Sequence, residues 1–376
     1  MTSNEIILDG SVLEGGGQLL RIAVALSTLI SQPISIHNIR AGRRPPGLKA
    51  QHAAGLRLVA ELCQGRLSAS DPGTKEIHYQ PGSEVLLSRM YTADPGTAGA
   101  TTLLLQVSFP CLLFSPESSP STEHHTELIL CGGTNAIQAP QIDYTAHVFL
   151  PFIRHHFGLA PTLQVKMRGY YPKGGGRVRI LIPAVPGPLP SVNLTHRGSV
   201  IAIRGRSYVA GLPAHLAAAM RNAAVSSLQS RGIDPRIVDI ETVKEEPHDA
   251  VGSGSGIMLW AETDGDCILG GSAIGVKGKK PTMVGEEAAE ELVRNLAHGG
   301  CVDEYMQDQM IIFLALAKGR SMVKTGPLTL HTKTAIWVAE QLTRAKFEVR
   351  EESASSFIIQ CDGIGYTRAR HTLIES

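Results

Sequence analysis

A strand–helix unit that recurs along the chain constrains the fold more than any other sequence feature. Apolar periodicity and turn residues predict a first unit in the order strand 5–8, helix 17–30, strand 34–39, helix 47–64 and two short strands. The pattern returns between 98 and 182, and most of it returns again after 303. Repeated units of this kind share sheet faces and bury their helices against one another. The sequence therefore predicts an α/β fold built from repeats.

Residues from about 191 to 296 depart from this pattern. Their predicted order is strand, helix, three strands and helix, and the proline-rich stretch IPAVPGPLP before them is typical of a linker. We therefore predict a core domain with repeats 1 and 2 at 1–190, an inserted smaller α/β domain at 191–296, and repeat 3 of the core at 297–376. The polar stretch from Ser115 to His125 is predicted to be a mobile surface loop.

The charge of the chain excludes a protein that attracts nucleic acid through a general basic field. The formal net charge is +1, so any phosphate-binding function depends on local clusters. Two segments carry five basic residues each and no acid: Arg40, Arg43, Arg44, Lys49 and Arg57, and Lys166, Arg168, Lys173, Arg177 and Arg179. For either segment alone, a solvated basic face is as good an interpretation as a phosphate site.

Cysteine spacing and the N-terminus indicate where the protein resides. The six cysteines are scattered, without a CxxC pair, which argues against a structural zinc site or a disulfide framework and favours a reducing compartment. The N-terminus lacks the features of a signal peptide, and no charge-free apolar run approaches the ~20 residues that span a bilayer. We expect a soluble, intracellular protein without a membrane partner, and the sequence leaves its oligomeric state open.

Three glycines, Gly15 to Gly17, stand between an extended segment and a helix start. Backbone without side chains lets N–H groups and the positive end of a helix approach a phosphate closely. The segment lacks the Gly-Lys-Ser/Thr of a Walker A loop, and a tight turn is the commoner role for such glycines. Glu14 and Arg21 beside them favour a magnesium-bound phosphate.

Two further features are candidates for nucleotide chemistry. Tyr305, Asp308 and Gln309 share one face at the start of a buried helix, which suits a purine nucleoside as well as a solvent-facing helix end. His331 is predicted to end the alternating strand LTLH, immediately before a helix. A neutral imidazole at such a junction is a competent nucleophile toward phosphorus, although an ordinary strand-end histidine fits the pattern too.

Six separated segments resemble the RNA 3'-terminal phosphate cyclases, most closely the animal type. They occur in the family's order and span nearly the whole chain: DGSVLEGGGQLLR, IRAGRRPPGLKAQH, CGGTNAIQAPQIDY, RGYYPKGGG, HGGCVDEYMQDQ and LTLHTKTA. The resemblance implies a core of three βαβαββ repeats with an inserted domain of thioredoxin-like topology. It also implies ATP-dependent conversion of an RNA 3'-terminal phosphate to a 2',3'-cyclic phosphate, through a covalent histidyl-AMP and an RNA adenylate, with release of pyrophosphate and AMP.

The resemblance also assigns residues. It implies that His331 is the nucleophile and that Glu14 binds the divalent metal, Mg²⁺ or Mn²⁺. AMP would lie against Gln106, Pro140, Tyr305, Asp308 and Gln309. The ATP phosphates or the RNA terminal phosphate would contact Arg21, Arg40, Arg43 and Gln51. Lys333 and Arg44 have no assignment in the family pattern, and the implied location is the nucleus.

Two other functions fit a fold of this kind. Cyclase-like ribosome-biogenesis factors share it without known cyclase catalysis, but they lack the nucleophile segment that contains His331 here. Enolpyruvyl transferases use similar βαβαββ repeats on phosphate-bearing small molecules, and such an enzyme would use no ATP and form no adenylated protein.

Overall fold

The structure, a computed structural model, describes residues 5–82, 90–114, 125–185 and 187–368. Residues 115–124 of the predicted surface loop lie outside these ranges. Within them, no helix has both the length and the apolar character needed to cross a membrane.

The first repeat forms a four-stranded sheet with two helices. Its elements are β1 (Ile6–Asp9), α1 (Gly17–Ile30), β2 (Ile34–His37), α2 (Ala50–Leu62), β3 (Arg66–Leu67) and β4 (Ile77–Gln80). The sheet order is β1-β2-β4-β3, with β1 parallel to β2 and the other neighbours antiparallel. Helix α1 has the predicted bounds, because its apolar run begins after the glycine turn and ends at Ser31, which adopts a left-handed conformation.

The second repeat has the same sheet order and strand directions. Its elements are β5 (Met90–Ala93), α3 (Thr101–Leu113), β6 (His125–Gly132), α4 (Ile142–Tyr144), a π-helical segment (Thr145–Phe149), α5 (Leu150–Phe157), β7 (Thr162–Gly169) and β8 (Gly176–Pro183). The order is β5-β6-β8-β7, with β5 parallel to β6 and the rest of the repeat antiparallel.

The insert interrupts the third repeat after its first strand, β9 (Asn193–Leu194). The inserted elements are β10 (Val200–Ala210), α6 (His215–Ser230), β11 (Val238–Glu245), β12 (Ala250–Val251), β13 (Gly254–Thr263), β14 (Ile268–Ile274) and α7 (Pro281–Ala297). The sheet order is β11-β10-β13-β14, with β10 parallel to β11 and antiparallel to β13. This arrangement is the thioredoxin-like topology, while β12 joins the edge of the second repeat by pairing with β7.

The third repeat resumes with α8 (Glu304–Gln309), α9 (Ile311–Leu316), β15 (Lys318–Thr325), α10 (Leu330–Leu342), β16 (Lys346–Ser353) and β17 (Ser356–Ile364). Its sheet order is β9-β15-β17-β16, with β9 parallel to β15, so all three repeats share one topology. Asn193 and Leu194 lie within the predicted insert, but they pair with Met322 and Val323 and so belong to the core.

The predicted α/β class with three βαβαββ repeats is confirmed. One hydrophobic cluster contains residues of all three repeats, and the buried helix α1 lies against α2, α3 and α10 within it. A second cluster lies between the insert sheet and its helices α6 and α7. The helix starts of the three repeats consequently meet around α1, and this junction places the predicted site residues.

Candidate active site

His331 lies in the first turn of helix α10. Thr329 caps this helix, because its Oγ1 accepts a hydrogen bond from the backbone N–H of Thr332 at 3.0 Å. The predicted strand at 328–331 is therefore wrong: the alternation LTLH resembles a strand, but the threonine N-cap starts a helix within it. His331 lies at the positive end of that helix, where an anion is favoured.

The glycine turn brings Glu14 to the same helix. The backbone N–H of Glu14 donates to Oγ1 of Thr334 at 3.2 Å. Its carboxylate Oε1 pairs with Arg43, while Oε2 is buried and has no hydrogen-bond partner within the described ranges. Gly15 has a φ of 58°, a conformation that favours glycine, and Gly16 precedes α1 without a side-chain cap. The first N–H groups of α1 therefore remain available for a ligand.

The side chains of Arg21 and His52 pack directly against Gly17 of the glycine turn. A β-carbon at Gly17 would lie 2.3 Å from Nε2 of His52 and 3.0 Å from Nη1 of Arg21, so only glycine fits there. Burial, together with the positive charges of Arg21, Arg40 and Lys49, lowers the pKa of His52 to about 3. Burial also lowers the pKa of Arg21 to about 10, against the opposing effects of Asp308 and Glu14. At neutral pH Arg21 is charged and His52 is neutral.

A narrow pocket lies beside Arg21. Its polar lining includes Gln106, Asp308 and Gln309, and its apolar walls include Phe109 and Phe313. Burial raises the pKa of the Asp308 carboxyl to about 7, and the nearby Arg21 opposes that shift. A partly apolar pocket with a few convergent polar groups is the usual form of a small-molecule site.

Tyr305 and Pro140 adjoin this pocket rather than forming part of its lining. Nε2 of Gln309 donates to the backbone carbonyl of Tyr305 at 2.7 Å, and the Tyr305 ring packs edge-on against Tyr144 at a centroid distance of 5.7 Å. The carbonyl of Pro140 accepts a hydrogen bond at 2.9 Å from Oγ1 of Thr102, which does line the pocket.

The remaining predicted residues lie around the glycine turn. Arg40 is buried, has a φ of 52°, and donates to the carbonyl of Gly47 at 2.8 Å. Gln51 shares a smaller cavity with Arg21 and accepts, through Oε1, a hydrogen bond from the N–H of Ala100 at 3.0 Å. Arg43 reaches Glu14 from the loop that follows β2.

Electrostatic interactions connect these groups to His331. Partial burial lowers the pKa of His331 from its ordinary value of 6.5; the negative charge of Glu14 opposes that shift, while Arg21 and Arg43 add to it. The imidazole is consequently neutral at physiological pH, the form that can attack phosphorus. A neutral histidine, a carboxylate with one oxygen unpartnered in the described ranges, several arginines and a pocket thus converge from three repeats.

Two residues that shape the site, His52 and Gln307, are not predicted from the sequence. Oε1 of the buried Gln307 accepts hydrogen bonds from the N–H of Thr329 at 2.9 Å and from Oγ1 of Thr332 at 2.6 Å. It therefore fixes the start of the helix that carries His331. His52 follows the predicted Gln51, and Gln307 lies between the predicted Tyr305 and Asp308, but neither carries a sequence signal of its own.

Within the described ranges, no three His, Cys, Asp or Glu side chains are grouped so that they could hold a metal ion. The unpartnered Oε2 of Glu14 nevertheless provides one carboxylate oxygen. Mg²⁺ commonly binds through one or two carboxylates together with phosphate oxygens of the substrate, so the residues present fit a metal that arrives with a nucleotide.

Comparison with known proteins identifies one family. The family model described as RNA 3'-terminal phosphate cyclase matches residues 12–349. The chain is 39% identical to the probable RNA 3'-terminal phosphate cyclase of Dictyostelium discoideum, over 96% of this chain and 83% of that protein. It is 37% identical to the RNA 3'-terminal phosphate cyclase of Drosophila melanogaster, over 96% of each chain. The protein of that name from Pyrobaculum aerophilum is 36% identical, over 96% of this chain and 99% of its own length.

Proposed function

The chain belongs to the RNA 3'-terminal phosphate cyclase family, and we propose on this basis that it converts the 3'-terminal phosphate of RNA to a 2',3'-cyclic phosphate with consumption of ATP. The observation that carries the proposal is the position of His331. It is neutral at physiological pH, lies at a helix N-terminus, and is within electrostatic reach of Glu14, Arg21 and Arg43.

In the first proposed step, an imidazole nitrogen of His331 attacks the α-phosphorus of ATP. A phosphorus–nitrogen bond forms, the bond between the α-phosphorus and the bridging oxygen breaks, and pyrophosphate leaves. The free N–H groups at the start of α1 and the cation Arg21 would stabilise the negative charge that develops on the phosphates. The adenosine would lie against Gln106, Asp308 and Gln309, which line the narrow pocket.

Two further steps complete the proposed reaction. An oxygen of the RNA 3'-phosphate attacks the phosphorus of the His331-bound AMP, which breaks the phosphorus–nitrogen bond and restores the imidazole. The adjacent 2'-hydroxyl then attacks the activated 3'-phosphate, loses its proton and expels AMP. Arg40, Arg43 and Gln51, which surround the glycine turn, are the groups we propose for holding the terminal phosphate.

A divalent cation, Mg²⁺ or Mn²⁺, would offset the charge of the departing pyrophosphate when bound. We propose Glu14 as its protein ligand, supported by the buried Oε2 oxygen that has no partner in the described structure. The Glu14→Gln variant should therefore need more Mg²⁺ for half-maximal adenylylation, because an amide oxygen binds the cation more weakly. An exposed carboxylate of α2, changed in Glu61→Gln, provides the matched control.

The decisive experiment is incubation of the intact protein with Mg²⁺ and ATP labelled at the α-phosphate, followed by denaturing electrophoresis. Wild type should retain label, and His331→Ala should not. The exposed histidine variant His248→Ala is the matched control and should label like wild type. Label on His331→Ala protein, or its absence from wild type, would refute the proposed intermediate. Addition of 3'-phosphorylated RNA to labelled protein should release labelled AMP and yield a cyclic end.

The same experiment separates this proposal from a non-catalytic cyclase-like factor, which would take up no label. The nuclear location implied by the resemblance is also a proposal, and imaging of tagged protein in cells tests it.

A further inference from the structure

The loop between β7 and β8 presents an exposed aromatic ring beside two free cations. Tyr171 is 75% exposed, and Lys173 and Arg177 are exposed as well. Neither cation forms an ion pair with any residue that the structure describes. The proposed chemistry involves none of the three, although the second basic cluster of the sequence includes both cations.

This loop is rigidly held although its outer side chains are free. The preceding residue, Tyr170, is buried, and its ring lies 6.0 Å from that of Tyr208 in the insert. The Tyr170 N–H donates to the carbonyl of Val251 at 3.0 Å, and its carbonyl accepts from Gly174 at 2.9 Å. Tyr170 therefore anchors the loop, and Tyr171 is not needed to pack it. A large exposed ring on a pre-organised loop is the arrangement of a binding surface.

The loop is continuous with the candidate active site. A β-carbon at Gly174 would lie 2.9 Å from Cα of Ala98, so the two loops are in direct contact. Two residues after Ala98, the backbone N–H of Ala100 donates a hydrogen bond to Oε1 of Gln51. Gln51 and Arg21 line the same cavity. A chain bound at the phosphate-binding residues therefore needs to cross only one loop to reach Tyr171.

The local charge favours a polyanion. Of the neighbouring acids, Glu127 is occupied by a bidentate ion pair with Arg179, at 2.7 and 2.9 Å. Asp94 accepts a hydrogen bond from the N–H of Gly96 at 2.7 Å. Lys173 and Arg177 thus remain available for phosphates. Aromatic rings that stack on bases, combined with cations that follow the backbone, are the common elements of single-strand recognition.

We propose that the loop 170–175 and the start of β8 form the subsite for the unpaired RNA nucleotides that precede the 3' end. Tyr171 stacks on a base, and Lys173 and Arg177 contact backbone phosphates. This inference rests on the proposed function, because it takes the terminal phosphate to lie among Arg21, Arg40 and Gln51. It adds a substrate class, single-stranded 3' ends, since a paired base cannot turn toward the ring.

The test compares variants on 3'-phosphorylated RNAs of two and eight nucleotides, with fluorescence anisotropy for affinity and cyclisation for KM. Tyr171→Ala should weaken binding of the eight-nucleotide RNA roughly 5- to 150-fold and raise its KM, because one stacked base contributes about 1–3 kcal/mol. Tyr171→Phe should bind like wild type. The dinucleotide, and self-adenylylation without RNA, should be unaffected by Tyr171→Ala.

The double variant Lys173→Ala/Arg177→Ala should reduce the salt dependence of binding by about 1.4 in the log–log slope, about 0.7 for each lost contact to a single-stranded phosphate. Its matched control is Lys346→Ala/Arg350→Ala on β16, which removes the same charge from exposed positions in another sheet.

Equal effects of Tyr171→Ala on both RNA lengths, a loss of self-adenylylation, or wild-type binding of the longer RNA would each overturn the subsite. Wild-type binding in particular would assign the loop to another partner, such as a protein. If wild type fails to adenylylate itself, the proposed function falls, but the anisotropy comparison still decides whether RNA occupies this surface.

Discussion

Oε1 of Gln307 accepts a hydrogen bond of 2.6 Å from Oγ1 of Thr332, the residue that follows His331. Both side chains are buried, and Gln307 also binds the N–H of Thr329 and the hydroxyl of Thr325. The helix start that carries the proposed nucleophile is therefore fixed by a side chain from another helix, α8, whose neighbouring positions line the pocket.

The Gln307→Leu variant tests this positioning role. Leucine keeps the side-chain volume but leaves buried polar groups without partners, so the free energy of unfolding should fall by about 2 kcal/mol. The adenylylation rate at saturating ATP should fall roughly tenfold, because the orientation of His331 is lost. ATP affinity should change little, which distinguishes mispositioning from general unfolding. Gln229→Leu at the exposed end of α6 is the control, and a variant that loses ATP affinity and rate together would contradict the role.

The adenylylation rate should fall at low pH as His331 becomes protonated. The pH of this fall, the acid limb of the pH–rate profile, should depend on the charges around His331. Arg43 disfavours the imidazolium, so Arg43→Gln should raise the pKa of His331 and move the limb to higher pH. Glu14 favours the imidazolium, so Glu14→Gln should lower that pKa and move the limb to lower pH. NMR titration of the His331 ring measures both shifts directly, with Arg350→Gln as the control. Shifts of the same sign in the two variants would disprove this electrostatic arrangement.

Asp308 should make stability depend on pH. Its pKa of about 7 in the folded state exceeds the ordinary value of 3.8, so the folded protein binds this proton more tightly than the unfolded chain does. The resulting stabilisation is fully present below about pH 4 and is lost as the pH rises to about 7. Asp308→Asn does not titrate, so its stability relative to wild type should improve between pH 5 and pH 8.

Urea unfolding at both pH values measures this change, and the exposed Asp239→Asn is the control. A stability difference between Asp308→Asn and wild type that is independent of pH would place the titration elsewhere.

Gly17→Ala should damage the site through His52. The new β-carbon would lie 2.3 Å from Nε2 of His52, a distance that forces the buried ring or the helix start to move. We expect a loss of about 1–3 kcal/mol in stability and a roughly 10- to 100-fold lower adenylylation rate. Gly42→Ala is the matched control, since a β-carbon there meets no atom within 4 Å. Equal behaviour of the two variants would show that the contact at Gly17 is tolerated.

Much of the fold was predictable from local pattern, and the errors have physical causes. The bounds of α1 followed from its apolar run and the glycines before it. The start of α10 did not, because LTLH satisfies strand alternation while the Thr329 cap decides for helix. The first strand of the third repeat has two residues, too few for a periodic signal, and its partner strand lies beyond the insert.

The residues of the candidate site likewise fall into those that the sequence predicts and those that it does not. Glu14 and Arg21 stood out because glycines surround them in the sequence. His52 and Gln307 matter through contacts with residues that are distant along the chain or in other helices, and such contacts leave no local pattern. Whether the assigned residues perform their proposed roles stays a prediction for the experiments above.

The position of the insert affects how the chain must assemble. β9 precedes the insert and its partner β15 follows it, so the third sheet closes only after the whole intervening segment has been synthesised. Closing a loop of that length costs entropy if the segment is unfolded. In the folded insert, Nη1 of Arg197 donates to the carbonyl of Leu296 at 2.5 Å, which holds its two ends together. An insert that folds first would therefore keep β9 close to β15 and lower the entropy cost of pairing them, and completion of the repeat that carries His331 would become a late event in folding.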